Sequence, residues 1–490
     1  MSKTAVENMV KDNYQNHFNE YLNHEKEAVK LQHCVGQLLY NKGIELVLFR
    51  NTMTDAGISE LLQLHEYANS VVKRPITVKN SAALAEELLK MDIAPSKLDI
   101  GRLSSEWKME QDNFDSMSSF LQDKLSTFSI SDDESLQPKD VVLFGFGRIG
   151  RLAARELVKQ AGKGQQLRLR AIVVRKMDAS QLTKRANLLR NDSVHGPFSG
   201  SIEEDYENLA LIINGQTVSF ISANNPEEID YTAYGINDAL IIDNTGVFTD
   251  RTALSRHLEA KGASKVLLSA PGKEIPNIVY AVNSKNLDFE NENIYSAASC
   301  TTNAIVPVLK VINDNLGVEK GHIETVHAYT NDQNLLDNFH KKERRGRSAA
   351  INMVITETGA GKAVTKVIPE LENKLTANAV RVPVPNGSLA ILSLSVAKET
   401  TIEEVDSLLR SAALNGDLVN QINYNTNEEC VSSDIVGNTC CSVYDSNATI
   451  VHSDKKSIVL YVWYDNEFGY TKQVIRLAKS ISKVRRRIYY

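Results

Sequence analysis

Along the first quarter of the chain one helix face keeps returning at three- and four-residue steps. Ile58, Leu61, Leu62, His65, Ala68 and Val72 mark one such run, Leu84, Leu88 and Met91 a second, and Phe114, Met117, Leu121 and Leu125 a third. That period predicts four or five amphipathic helices, with Ser81 as the capping candidate for the second run. After residue 138 the pattern changes. Short β-branched runs (VVLFGF, LRLRAIVV, VSFIS, ALIIDNTG, KVLLSA) alternate with helical stretches such as RLAARELVKQ, the pattern of a parallel α/β sheet. Beyond residue 300 a single long helical run, TTNAIVPVLKVINDNLG, precedes longer alternating strands, among them HIETVHAYTND and KSIVLYVWYD. These predict a mixed or antiparallel sheet, closed by a last helix from Tyr470 to Val484.

Glycine and proline usage marks the same boundary. Residues 1–137 hold only four of the 25 glycines and two of the 11 prolines. Between the two regions, SISDDESLQPKD (128–139) is polar and acidic, as a linker is. The expected partition is a helical N-terminal extension of unknown role over 1–135, a Rossmann-type nucleotide-binding domain over 138–299, a catalytic α+β domain over 300–465, and a C-terminal helix over 466–490 that returns to the nucleotide domain. A chain of 490 residues, 42% apolar and 24% charged, is too long for one small domain and ordinary for a globular protein. Its net charge of −6 gives no global case for nucleic acid or an anionic membrane as partner. No apolar run reaches the ~18 residues of a membrane helix, and the N-terminus lacks an apolar signal core, so a cytoplasmic location is expected. Five cysteines without a CxxC pair suggest neither a disulfide framework nor a metal site.

Gly145, Gly147 and Gly150 form GxGxxG between the first strand and a helix. In that setting the first glycine permits the tight turn, the second lets backbone approach a pyrophosphate, and the third allows helix to pack on strand. The helix N-terminus then offers free N–H groups and its dipole to the anion. An NAD-specific site ends its second strand with a carboxylate for the ribose hydroxyls. Here that strand ends in Arg175 and Lys176, and no carboxylate follows until Asp178. Two cations suit a 2′-phosphate, favouring NADP or dual use, although both are also compatible with a solvated loop.

Among the cysteines, Cys300 stands directly before the long helix and is ringed by Ser299, Thr301 and Thr302. A thiol at a helix N-terminus is expected to be stabilised as thiolate. Cys34 reads as core packing, and Cys430, Cys440 and Cys441 as structural.

These motifs are recognisable. From about residue 140 to 480 the chain resembles the phosphorylating glyceraldehyde-3-phosphate dehydrogenase family. The resemblance rests on SCTTN (299–303), GFGRIGR (145–151), DSVHGPF (192–198), HAYTNDQ (327–333), ETGAGKAVTKVIPEL (357–371), RVPVPN (381–386) and WYDNEFGY (463–470). It implies that Cys300 attacks the aldehyde of glyceraldehyde 3-phosphate, that hydride passes to NAD or NADP, and that inorganic phosphate cuts the thioester to release 1,3-bisphosphoglycerate. His327 matches the catalytic base; an imidazole there would hold an imidazolium–thiolate pair and accept the hemiacetal proton. Thr330, Asp332 and Arg381 correspond to the pocket for the substrate's phosphate. Ser299, Thr301, Arg347, Thr358 and Gly359 correspond to that for inorganic phosphate. Asn466 matches the residue that binds the nicotinamide carboxamide and Tyr470 the one beside the ring. Arg148 and Ile149 cap the pyrophosphate turn, while Thr245 and Ser269 lie at later strand ends facing the same crevice. The family implies a homotetramer and no metal.

Departures from the family pattern leave the cofactor open. Arg175 and Lys176 replace Asn and Asp, Phe144 replaces an Asn, and Asn224 stands where many relatives carry Arg. Two other readings are compatible with the motifs: an erythrose 4-phosphate dehydrogenase that releases acid to water, and an assembly protein retaining a dehydrogenase body as scaffold. The extension itself reads as a helical domain on the catalytic body or at a subunit contact, with regulation or partner binding as the alternative. The basic tail Lys479–Arg487 reads as a helix end.

Overall fold

The computed structural model describes residues 3–128, 137–159, 166–285 and 287–490, with backbone alone for 3–12. Most of the expected linker, 129–136, lies outside the described residues. The chain forms two compact units. One holds the described residues up to Gln137 together with the last five residues, Arg486–Tyr490; the other holds the described residues between Pro138 and Arg485.

The N-terminal unit holds the expected helices, but it is not all-helical. Helices Lys3–Lys42, Ile58–Ser70, Val78–Lys90, Ile100–Glu110 and Met117–Lys124 accompany a four-stranded sheet. In that sheet the strands Glu45–Leu48 and Ser96–Asp99 are parallel neighbours, and Arg487–Tyr489 adds beside the latter, also parallel. The local pattern could not show this. ELVL and SKLD are four-residue segments buried on both faces, too short to display a two-residue period, and the third strand arrives from the far end of the chain. The last helix ends at Ile481, and in the tail Arg487–Tyr489 is strand where a helix end was expected. Arg486 is buried and donates to the Gly43 carbonyl at 2.8 Å. Ser81 is not a cap either. The helix starts earlier, with Thr77 Oγ1 accepting from the Asn80 N–H at 3.2 Å, and Ser81 is fully buried inside it.

In the larger unit an eight-stranded sheet is built on six parallel strands, with Lys139–Phe144 and Leu167–Val174 at its middle and an antiparallel hairpin, Ala210–Ile213 with Ile202–Asp205, at one edge. The last helix, Phe468–Ile481, buries Tyr470, Val474, Ile475, Leu477 and Ala478 in the same core as Val141, Leu143 and Leu157. A second, mixed sheet carries Val318–Ala328 between Leu375–Val382, parallel to it, and Ser388–Val396, antiparallel. Helix Cys300–Leu316 packs Ile305, Val308, Leu309 and Ile312 against that sheet. The architecture is thus α/β. Among the described residues no helix is long and apolar enough to cross a membrane, and the five cysteines are free.

Candidate active site

The nucleophile candidate is positioned by a cap. Ser299 Oγ accepts from the Thr302 N–H at 3.0 Å and lies 2.7 Å from Thr302 Oγ1, which starts the helix at Cys300. Just before it, Ala298 is held at φ 55°, a left-handed backbone that a non-glycine residue adopts at a cost of ~1–3 kcal/mol. The Tyr470 hydroxyl donates to the Ala298 carbonyl at 2.9 Å. Together these aim Sγ into a cavity of about 580 Å3.

His327 comes from the strand Val318–Ala328, where parallel register sets it beside Arg381. Its Nε2 lies 3.7 Å from Cys300 Sγ. The ring stands edge-on to Tyr464, centroids 5.8 Å apart, and the Tyr464 hydroxyl is 3.1 Å from Thr301 Oγ1. Cys300, His327 and Arg381 all line the cavity, with Ser299, Thr330, Asn466 and Tyr470.

Electrostatics correct one expectation. Burial pushes the Cys300 thiol above its ordinary range, against the pull of the Arg381 charge. Burial, and then the same guanidinium, push the His327 imidazole down to about 3. The sequence suggested an imidazolium–thiolate pair from the helix dipole. Both shifts run against that pair, since desolvation disfavours the charged form of each group.

On the nucleotide side, a Cβ at Gly150 would meet the Gly145 carbonyl oxygen at 2.5 Å, and Gly145 itself lies at φ 101°. A Cβ at Gly147 would meet nothing within 4 Å. The helix that follows, Arg148–Val158, has no side-chain cap. An open approach and uncapped N–H groups fit a pyrophosphate, and Arg148 and Ile149 line the cavity at this point. The Arg148 side chain, however, is engaged elsewhere. It bonds Asp192 at 2.7 and 3.1 Å and Glu467 at 2.7 and 2.5 Å, and His195 Nε2 is 2.9 Å from the same Glu467. That leaves backbone for the anion. The cluster was not foreseen, although all four of its members lie within the quoted motifs. Thr245 is held by Asp243, through its N–H at 2.8 Å and its hydroxyl at 2.7 Å. Ser269 donates to the Asp243 carbonyl at 3.0 Å and lines the cavity. Arg175 and Lys176 are exposed just past Val174, and the Asp178 carboxylate is used as the cap of the next helix.

The expected phosphate residues divide. Thr330 and Arg381 reach the cavity with Ser299. Thr358 and Gly359 sit at the start of helix Ala360–Val367, with Thr358 Oγ1 accepting from the Ala360 N–H at 3.2 Å. Arg347 is not brought to the site: it is exposed and paired with Asp337 at 2.9 Å. Arg345, two residues earlier, is the less exposed cation of that loop, half-buried, paired with Asp332 and close enough to act on both His327 and Arg381. In ERRGRS nothing but the fold distinguishes one arginine from another.

Two family models match this frame. The NAD binding domain of glyceraldehyde 3-phosphate dehydrogenase matches residues 139–251, and the C-terminal domain of glyceraldehyde 3-phosphate dehydrogenase matches 299–466, from the Cys300 cap to Asn466. A glyceraldehyde-3-phosphate dehydrogenase-like protein of Pseudomonas aeruginosa is 45% identical over 454 residues, 92% of this chain and 98% of that protein. The chain belongs to the glyceraldehyde-3-phosphate dehydrogenase family. It is accordingly an oxidoreductase with an NAD-binding domain. The glyceraldehyde-3-phosphate dehydrogenases of Clostridium pasteurianum and Bacillus subtilis (the latter numbered 1) are each 41% identical, over 350 and 340 residues, 70% and 69% of this chain and 98% and 97% of theirs. These family members match a stretch about the length of the larger unit. The Pseudomonas protein matches more than that, so its likeness reaches into the N-terminal unit, beyond the resemblance visible in the motifs.

Proposed function

We propose that the chain is a phosphorylating glyceraldehyde-3-phosphate dehydrogenase acting through a thioester at Cys300. The observation that carries this reading is Cys300 Sγ 3.7 Å from His327 Nε2, in a cavity that also holds the half-buried Arg381 and the loop of Asn466. His327 takes the thiol proton as sulfur attacks the aldehyde carbon. The imidazolium hands that proton to the hemiacetal oxygen, and the thiohemiacetal hydroxyl returns it to His327 as hydride leaves the carbon. A nicotinamide held beside Cys300 would supply the hydride acceptor. Gly147 and the first turn behind it hold the pyrophosphate, and Asn466 orients the carboxamide. Inorganic phosphate attacks the resulting thioester, forming the acyl phosphate and returning sulfur to Cys300. Thr330 and Arg381 hold the substrate's phosphate, with Asp332 placed through Arg345. Ser299, Thr301, Thr358 and Gly359 belong to the attacking phosphate's pocket.

Arg175 and Lys176, both exposed and without a competing carboxylate since Asp178 is a cap, favour NADP or use of both coenzymes. Leu335, Leu336, Phe339, Ile351 and Met353 are each at least 71% exposed within one segment. Such apolar crowding at the surface is covered by further copies of the chain in a homotetramer. The test is the initial rate of coenzyme reduction from glyceraldehyde 3-phosphate, with NAD and NADP side by side. Turnover that requires inorganic phosphate supports the reading, and turnover indifferent to phosphate contradicts it.

A further inference from the structure

Arg148 is the first residue of the helix behind the glycine turn, a place where a cation would be expected to meet an anion. Its guanidinium is instead forked twice between carboxylates. Nε and Nη2 donate to the two oxygens of Glu467, and Nη1 and Nη2 to those of Asp192. Three segments meet in this one group: the glycine turn, the 192–195 loop and the turn that carries Asn466. The Asp192 and Glu467 side chains are only 5% and 14% exposed. Burial works against both charges, yet the His195 N–H and Arg148 hold Asp192 down to about 2, and Arg148 with His195 holds Glu467 below its ordinary range. A doubly forked guanidinium in such surroundings fixes direction as well as distance, which an exposed pair of flexible side chains does not.

The Asn466 turn is anchored from its other side by the mixed sheet and the loops beside it. Ser388 Oγ donates to Asn466 Oδ1 at 2.8 Å, so the amide keeps its N–H groups for the cavity that Asn466 lines. Asp465 Oδ1 accepts from the Glu467 and Phe468 N–H groups at 2.9 and 2.8 Å and from Asn386 Nδ2 at 2.8 Å, and its Oδ2 accepts from the Gly437 N–H at 2.8 Å. Glu467 then supplies the tie from this turn to the glycine turn.

We propose that Arg148 and Glu467 are positioning residues for the nicotinamide: their pair, seated by Asp192 and His195, sets the distance from the backbone that holds the pyrophosphate to the amide that holds the carboxamide. Arg148 acts through Glu467 and gives no hydrogen bond of its own to the pyrophosphate. Breaking the pair leaves the nucleotide half of the coenzyme held and loosens the ring beside Cys300. The inference rests on the reading above that Asn466 meets the carboxamide.

The test is calorimetric titration of the full chain with NAD or NADP, whichever the wild type binds more tightly, and with the matching fragment that lacks nicotinamide, ADP-ribose or its 2′-phosphate. The wild type is expected to bind the coenzyme more tightly than the fragment. In Glu467→Gln and in Arg148→Met that advantage should shrink by about 3- to 10-fold, the share of one hydrogen bond, with fragment affinity within about twofold of wild type. Arg148→Lys keeps the charge without the double fork and should lose most of the advantage too. With substrate, kcat should fall by up to about 10^2-fold at unchanged KM for the aldehyde, as expected for a misplaced reactant. Loss of fragment binding in step with coenzyme binding would mean a direct hold on the pyrophosphate or a general structural role, and overturns the proposal. So does an advantage that the variants leave intact. A wild type that binds coenzyme and fragment equally well would instead remove the reading of Asn466, and the proposal with it.

Discussion

His65 and His327 each sit beside a nucleophilic side chain, but only His327 lines a cavity. In the N-terminal unit His65 Nε2 lies 2.9 Å from Ser81 Oγ, which lies 3.2 Å from Ser104 Oγ, while His65 Nδ1 bonds the Leu61 carbonyl at 2.8 Å. Both serines are 0% exposed, so each polar atom is answered within the protein and none is offered to a ligand. In the larger unit the contact between His327 and Cys300 is longer, and the pair opens on a cavity. Proximity of a histidine to a nucleophile is therefore a poor criterion. Access distinguishes a working site from a buried polar network.

The comparison is broken most severely at the sulfur. Cys300→Ser is expected to lower kcat by about four orders of magnitude or more with little change in melting temperature, measured by steady-state assay and calorimetry. His327→Asn should cost roughly 10^2- to 10^4-fold in kcat. His65→Ala should do the reverse, leaving kcat within a factor of about two while destabilising the N-terminal unit by roughly 2–4 kcal/mol, since it opens a hole and strips Ser81 of its partner. A His65 variant that folds normally and loses turnover would overturn the distinction.

The smallest expected effect depends on pH. Burial raises the Asp99 carboxyl from 3.8 to about 6, even though it accepts from the Phe49, Arg50 and Arg102 N–H groups. Because the folded value lies above the unfolded one, its contribution to stability is complete below about pH 4. It is lost as pH rises through 6, on the order of 1–3 kcal/mol. Calorimetry between pH 4 and 7 should show that fall in the wild type and a flatter dependence in Asp99→Asn, which starts from lower stability because one acceptor is lost.

What could be read in advance follows the range of the interactions involved. The glycine turn and the Cys300 helix are local: strand, glycines, cap and amphipathic helix are contiguous, so residues 139–158 and 299–316 were legible. The meeting of His327 with Arg381 depends on the register of two strands 54 residues apart, and was reached only through the family motifs. Arg345 and Arg347 differ by which way a short turn faces, which no periodicity records. The C-terminal strand is the extreme case, since Arg487–Tyr489 pairs with Ser96–Leu98. The desolvation acting on the pair could not be anticipated either, because a helix start is visible in a sequence and burial is not.

The central claim is a covalent bond at one sulfur. Enzyme mixed with glyceraldehyde 3-phosphate and saturating coenzyme in phosphate-free buffer, quenched in acid and digested, should carry the acyl group on the peptide containing Cys300, and added phosphate should remove it. An acyl group on another cysteine, or full turnover in phosphate-free buffer with Cys300 never acylated, would contradict the account.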